Sequence, residues 1–205
     1  MTSGAVDVVW YASFGSNLSR ARFLHYLKGG RLEGQDIGHA GARDPSDPLD
    51  DRMGTIAHQL RFGGESRRWG GGVAFVDPAP GTGRAIVRMW KVTVQQFCDI
   101  AAQENGLAPG ELEVDVAAAE RRGWLDVTDR WYGRIVSGGR HDGVPVFTFT
   151  SPQIRPAVRP SAAYAGTILA GLAEMGLSVD DAVAYLAGAP GADAWDRNAL
   201  AALLV

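Results

Sequence analysis

The run Trp10-Tyr11-Ala12-Ser13-Phe14-Gly15-Ser16-Asn17-Leu18 constrains this chain more than any other segment, because an apolar stretch passes directly into a small polar turn and then a basic helix. Residues 6–11 are rich in β-branched and aromatic side chains and read as a buried strand. Gly15 breaks it. Ser16, Asn17 and Ser19 are each suited to cap a helix that begins near Leu18 and runs to Leu27, leaving its first backbone N–H groups unpaired and facing outward. Taken alone, the segment fits an ordinary strand-turn-helix connection as well as an anion-binding edge. Other residues must decide.

Size and charge narrow the setting. With 205 residues and 46% hydrophobic content, one sizeable core is expected rather than two. The 20 basic and 23 acidic residues form no long run of either sign, so neither nucleic acid nor a membrane surface is an expected partner. A small polar ligand is. One cysteine, Cys98, precludes an intramolecular disulfide and fits a reducing compartment, making the cytoplasm the expected location. No stretch approaches the roughly 18 apolar residues of a membrane span. The 27 glycines and 10 prolines are dispersed without a period, which points to a loop-rich α+β protein.

Along the chain, residues 38–52 are rich in aspartate and proline and read as a mobile surface loop. Strands are expected over 55–62, 72–76 and 84–92, with Gly81-Thr82-Gly83-Arg84 as a hairpin turn rather than a phosphate loop. Thr93 and Gln96 form a Thr-x-x-Gln capping box that opens a helix ending near Asn105, with Gly106 beyond it. Strands over 131–137 and 144–150 bracket a long hairpin loop. Ser161 and Ser178 cap two further helices, the first with Tyr164, Ile168, Leu172 and Met175 on one stripe, and a short helix follows Asp193.

On the capped helix, Val94, Phe97, Ile100 and Ala101 mark the inward stripe, and Glu104 falls about two turns after Phe97. A carboxylate there points inward, where burial and the negative helix end both favour its protonated form. That suits a general base working near neutral pH, although a glutamate at a fraying helix end is equally able to reach solvent or an arginine.

These segments together resemble the gamma-glutamyl cyclotransferase-like superfamily. Phe14-Gly15-Ser16-Asn17-Leu18 resembles its Tyr-Gly-Ser-Asn-Leu loop, and Gly71-Gly72-Val73-Ala74 its Gly-Gly-Ile-Ala strand. Gln103-Glu104 with Gly106 resembles the helix end bearing the catalytic acid, and Trp131-Tyr132 a strand contributing a pocket tyrosine. Pro160-Ser161 with Tyr164, Ile168, Gly171 and Gly176-Leu177 resembles the helix that closes the site. Five short motifs in order span residues 8–177.

The resemblance implies an α+β fold, a mixed β-barrel with flanking helices, over residues 1–177; residues 178–205 lie outside the family pattern and are expected to be a helical extension packed on the same domain. It implies cofactor-free release of 5-oxoproline from a small γ-glutamyl substrate, without a metal, by a monomer or homodimer. In that scheme Glu104 is the general acid/base, while Phe14, Gly15, Ser16, Asn17, Leu18, Tyr132 and Tyr164 bind the substrate. Phe14 departs from the usual tyrosine, and Asn105 stands between Glu104 and Gly106. A non-catalytic glutamyl-binding module and γ-glutamyl transfer to another amine are the competing readings. Ser16 lacks a Gly-x-Ser-x-Gly elbow and assignable partners, so it is not expected to be a nucleophile. Cys98 lies off the inward stripe, and His25, His39, His58 and His141 have no metal-ligand spacing.

Overall fold

The computed structural model describes residues 7–31 and 38–204. Among the described residues, eight strands and six α-helices follow one another as β1 (Val8–Ser13), α1 (Arg20–Lys28), β2 (Asp50–Ile56), β3 (Leu60–Ser66), β4 (Gly71–Val76), β5 (Ala85–Thr93), α2 (Val94–Glu104), α3 (Val116–Arg122), β6 (Trp124–Asp126), β7 (Arg134–His141), β8 (Val144–Thr150), α4 (Ala162–Glu174), α5 (Val179–Ala187) and α6 (Arg197–Ala201). The expected α+β class holds. In place of a closed barrel, the described strands form an open six-stranded sheet, ordered β2-β5-β1-β8-β7-β6, and a separate β3-β4 pair. Val6, placed in the first strand by the sequence, lies outside the described residues.

The chain divides into two compact units, one of Met1–Ala12, Leu24–Gly54 and Met89–Pro152, the other of Ser13–Phe23, Thr55–Arg88 and Gln153–Val205. In the first, β1 runs parallel to β8, with Trp10 opposite Val146 and Tyr11 opposite Phe147. Aromatic residues fill its core: Tyr11 stacks on Phe149 at 4.9 Å, and Phe97 of α2 lies 6.1 Å from Phe147. Phe97 is fully buried, a gain of about 2–3 kcal/mol over an exposed ring. Both halves of the capping box are made, since the Gln96 N–H donates to the Thr93 hydroxyl and the Thr93 N–H to the Gln96 side chain. Gly106, at φ +65°, follows the helix end as expected.

Polar side chains of α2 overturn the picture of 38–52 as a loose loop. Buried Asp99 accepts from the Arg43 backbone and guanidinium and from the Gly110 N–H, and Gln96 donates to the carbonyls of Asp44 and Ser46. The segment lacks apolar area of its own, so α2 orders it through hydrogen bonds, and its last residues belong to β2.

Two more expectations need correction in this unit. The hairpin after β7 is tight rather than long, because Gly138 to His141 continue the strand and only Asp142 and Gly143, both at positive φ, make the turn. Helix α3 was not anticipated, although Asp115 caps it and Gly123 ends it in the left-handed region. Its helical residues are mostly alanine and charge, which give no apolar period.

In the second unit β3 pairs with β4 in antiparallel register, with Phe62 opposite Ala74 and an irregularity between Gly63 and Ser66. The strand expected over 55–62 is in fact interrupted at 57–59, where His58 turns inward and its Nδ1 meets the Asp77 carbonyl at 2.7 Å. Residues 81–84 link β4 to β5, which lie in different sheets, so they do not form a hairpin turn. Ser161 caps α4 and Ser178 caps α5, each by accepting from an N–H three residues on. Tyr164, Ile168 and Leu172 are buried from α4 as their spacing predicts, and Met175 is its C-cap.

Candidate active site

The turn after β1 lies in the second unit and is buried: Phe14, Ser16, Asn17 and Leu18 are each less than a tenth exposed. Ser16–Leu18 form one turn of 3-10 helix, and α1 starts only at Arg20, so the single helix expected from Leu18 is instead two pieces. All four carbonyls of the turn are engaged. The Gly15 oxygen accepts from Leu18 N–H at 3.0 Å and the Ser16 oxygen from Ser19 N–H at 3.2 Å. The Ser13 hydroxyl lies 3.0 Å from the Asn17 oxygen, and the Arg88 guanidinium donates to the Leu18 oxygen at 3.1 Å. In a trans peptide the N–H points opposite the C=O, so this arrangement also sets the directions of the Ser16 and Asn17 N–H groups.

The 3-10 turn starts after Gly15, without a side-chain cap. The first N–H of α1, that of Arg20, is already engaged. Glu174, at the end of α4, accepts from Arg20 N–H at 2.9 Å and from the Ser19 hydroxyl at 3.1 Å, so the protein supplies its own anion there. Glu174 also pairs with Arg88 at 2.9 Å. Sequence reasoning missed both residues, since nothing local marks an arginine on a mixed strand or a glutamate at a helix end as partners 86 positions apart.

Tyr164 joins this turn. Its hydroxyl accepts from the Ala74 N–H at 3.1 Å, linking α4 to the Gly71–Ala74 strand. A Cβ on Gly15 would stand 2.9 Å from that hydroxyl, and one on Gly171 2.5 Å from the Leu18 Cβ, so glycine at both positions lets tyrosine and helix approach the turn. Trp69 packs on Tyr164 at 4.6 Å, with the Arg22 guanidinium 4.8 Å from the indole.

Glu104 and Tyr132 lie in the first unit. Glu104 is the last residue of α2 and is half-buried rather than enclosed. The next residue, Asn105, is buried and joins the helix end to Tyr132: its amide donates to the Tyr132 carbonyl at 3.2 Å and its oxygen accepts from the Tyr132 N–H at 3.1 Å. Arg130 donates to the Asn105 carbonyl at 2.8 Å. Tyr132 sits in the turn before β7, not in a strand as expected, with its ring 6.0 Å from Phe149. Cys98 is buried, which pushes its thiol pKa up and fits a packed side chain. Among the described residues no group of three or more His, Cys, Asp or Glu is arranged to hold a metal ion, and no helix is long and apolar enough to cross a membrane.

No family model matches the sequence. Histone deacetylase 5 of Arabidopsis thaliana is 37% identical over 201 residues, a match covering 87% of this chain but only 30% of that protein's length. Among solved structures, a gamma-glutamyl cyclotransferase superposes with a TM-score of 0.55 at 18% identity, covering 90% of this chain and 89% of its own. An uncharacterised protein of Homo sapiens gives 0.53 at 19% identity with the same coverage. The chain therefore has the gamma-glutamyl cyclotransferase-like fold.

Proposed function

We propose that the protein is an enzyme that cyclises a small γ-glutamyl compound to 5-oxoproline. The substrate's α-amino nitrogen attacks its own γ-carbonyl carbon; a new C–N bond forms and the bond to the leaving amine breaks. Two protons pass from the α-nitrogen to the leaving nitrogen: Glu104 takes one from the α-ammonium before attack and one from the ring nitrogen after the C–N bond forms, delivering each to the leaving nitrogen, so the lactam N–H and an ammonium result without a cofactor. Backbone N–H groups of the Gly15–Leu18 turn, other than that of Leu18, which donates to the Gly15 carbonyl, hold the substrate carboxylate and the developing oxyanion, where fixed dipoles stabilise charge without reorganising. Tyr132 and Tyr164 line the site. Because the attack is intramolecular, holding the substrate folded contributes several kcal/mol with no protein nucleophile.

The observation that supports this reading best is the turn itself, a Phe-Gly-Ser-Asn-Leu segment buried except at Gly15, with all four carbonyls of residues 15–18 engaged, in a chain with this fold. The test is 5-oxoproline formation from a panel of γ-glutamyl amides by wild type and Glu104→Gln. Turnover by the wild type with a large loss in the variant supports the reading, whereas equal slow rates would sink the proposed base. Phe14, which has no hydroxyl to offer a ligand, favours a second reading as a glutamyl-binding module. Saturable binding without turnover would establish that one.

A further inference from the structure

Building on that proposed reaction, we infer that Arg88 and Glu174 are positioning residues that set the Gly15–Leu18 turn for oxyanion stabilisation. Arg88 is 8% exposed, and one of its terminal nitrogens reaches both the Leu18 carbonyl, at 3.1 Å, and a Glu174 carboxylate oxygen, at 2.9 Å. A guanidinium this buried needs a compensating charge, and Glu174 provides it. Glu174 in turn holds Ser19 and Arg20, the two residues that follow the turn. The Ser13 hydroxyl, at the end of β1, lies 3.0 Å from both the Asn17 and the Arg88 carbonyls, so the backbone of β5 is tied to the same turn as its side chain.

The consequence lies in the peptide planes. Arg88 fixes the oxygen of the Leu18–Ser19 peptide while Ser16 O holds its N–H, and the latter bond orients the Ser16–Asn17 peptide. Releasing Leu18 O therefore loosens the plane that carries the Asn17 N–H. A donor that must meet charge appearing only in the transition state is worth most when its direction is set beforehand, so a loosened turn slows the reaction more than it weakens ground-state binding.

The experiment compares wild type with Glu174→Gln and with the double variant Arg88→Met/Glu174→Gln, which leaves no unpaired buried charge and so keeps the fold. Two measurements are made, amide hydrogen exchange and steady-state 5-oxoproline formation as a function of pH. Exchange at Leu18, Ser19 and Arg20 is expected to rise at least tenfold in the double variant, with β3-β4 amides unchanged. Its kcat is expected to fall at least tenfold with a smaller change in KM, and the acid limb of the pH profile, assigned to Glu104, to stay in place. Unchanged exchange overturns the clamp. Faster exchange with unchanged kcat overturns its role in the reaction, and a moved acid limb shows that the pair acts through the base instead. A wild type that turns over no γ-glutamyl amide overturns the reaction and the role with it, while exchange still decides the clamp.

Discussion

The Gly15–Leu18 turn and the Glu104 helix end are fixed by opposite means. Carbonyls of the turn are held by groups brought from β1, β5 and the turn itself, including buried Arg88, which pairs with the exposed carboxylate of Glu174, distant in sequence. The helix end is held mainly by its neighbourhood: a capping box at its start, then Asn105 and Arg130 at its finish. The first arrangement supplies rigid dipoles, the second a half-buried carboxylate on a short reach. In the proposed reaction a proton carrier must exchange protons, whereas an oxyanion donor only has to stay still, and the two environments differ in that sense.

Substitutions can separate the two. The largest effect is expected from Glu104→Gln, which should lower kcat for 5-oxoproline formation by roughly 10²–10⁴-fold, the usual contribution of a general acid/base, and leave the thermal midpoint nearly unchanged. Gly171→Ala should do the reverse in kind. The new methyl meets Leu18 at 2.5 Å, and forcing it into a packed site should cost about 1–3 kcal/mol in urea denaturation, with activity falling because the turn moves.

Tyr164→Phe leaves the Ala74 N–H without its hydroxyl acceptor, a buried loss of roughly 1–3 kcal/mol, with no effect expected on the acid limb of the pH profile. Thr93→Ala removes the cap of α2 and should cost about 1 kcal/mol, sharpening the comparison if the turn's amide exchange is unaffected. The smallest effect is alkaline. Burial raises the Cys98 thiol above its ordinary pKa, so the unfolded chain loses that proton first. Stability from this group is therefore complete below the ordinary thiol pKa and declines as pH rises toward the folded value. Cys98→Ala should flatten that decline in denaturant titrations between pH 8 and 10, and native Cys98 should react with iodoacetamide more slowly than the unfolded thiol.

Reading the fold from the sequence worked where the information was local. The α2 capping box, the Ser161 and Ser178 caps and the Gly106 helix stop involve residues within four positions of one another, and each was legible. Several failures occurred where a neighbour far along the chain decided, while α3 and the tight Asp142-Gly143 turn show that local signals were also missed. Residues 38–52 looked unable to order themselves, and on their own apolar content they are; Asp99 and Gln96, about fifty positions on, supply the missing bonds. Of the candidate site, the turn, Tyr164 and the helix end carry local signals, whereas nothing local keeps Tyr132 out of a strand or marks Arg88 and Glu174 as partners.

By itself, then, the sequence determined the caps, the helical stripes and the order of five short motifs, because these depend on hydrogen bonds and periodicity within a few residues. The tertiary structure alone decided that Glu174 occupies the start of α1, that Arg88 holds Leu18, and that glycine at 15 and 171 makes room for Tyr164 and α4. Those outcomes follow from close approach and charge compensation between distant segments, and neither leaves a local signature.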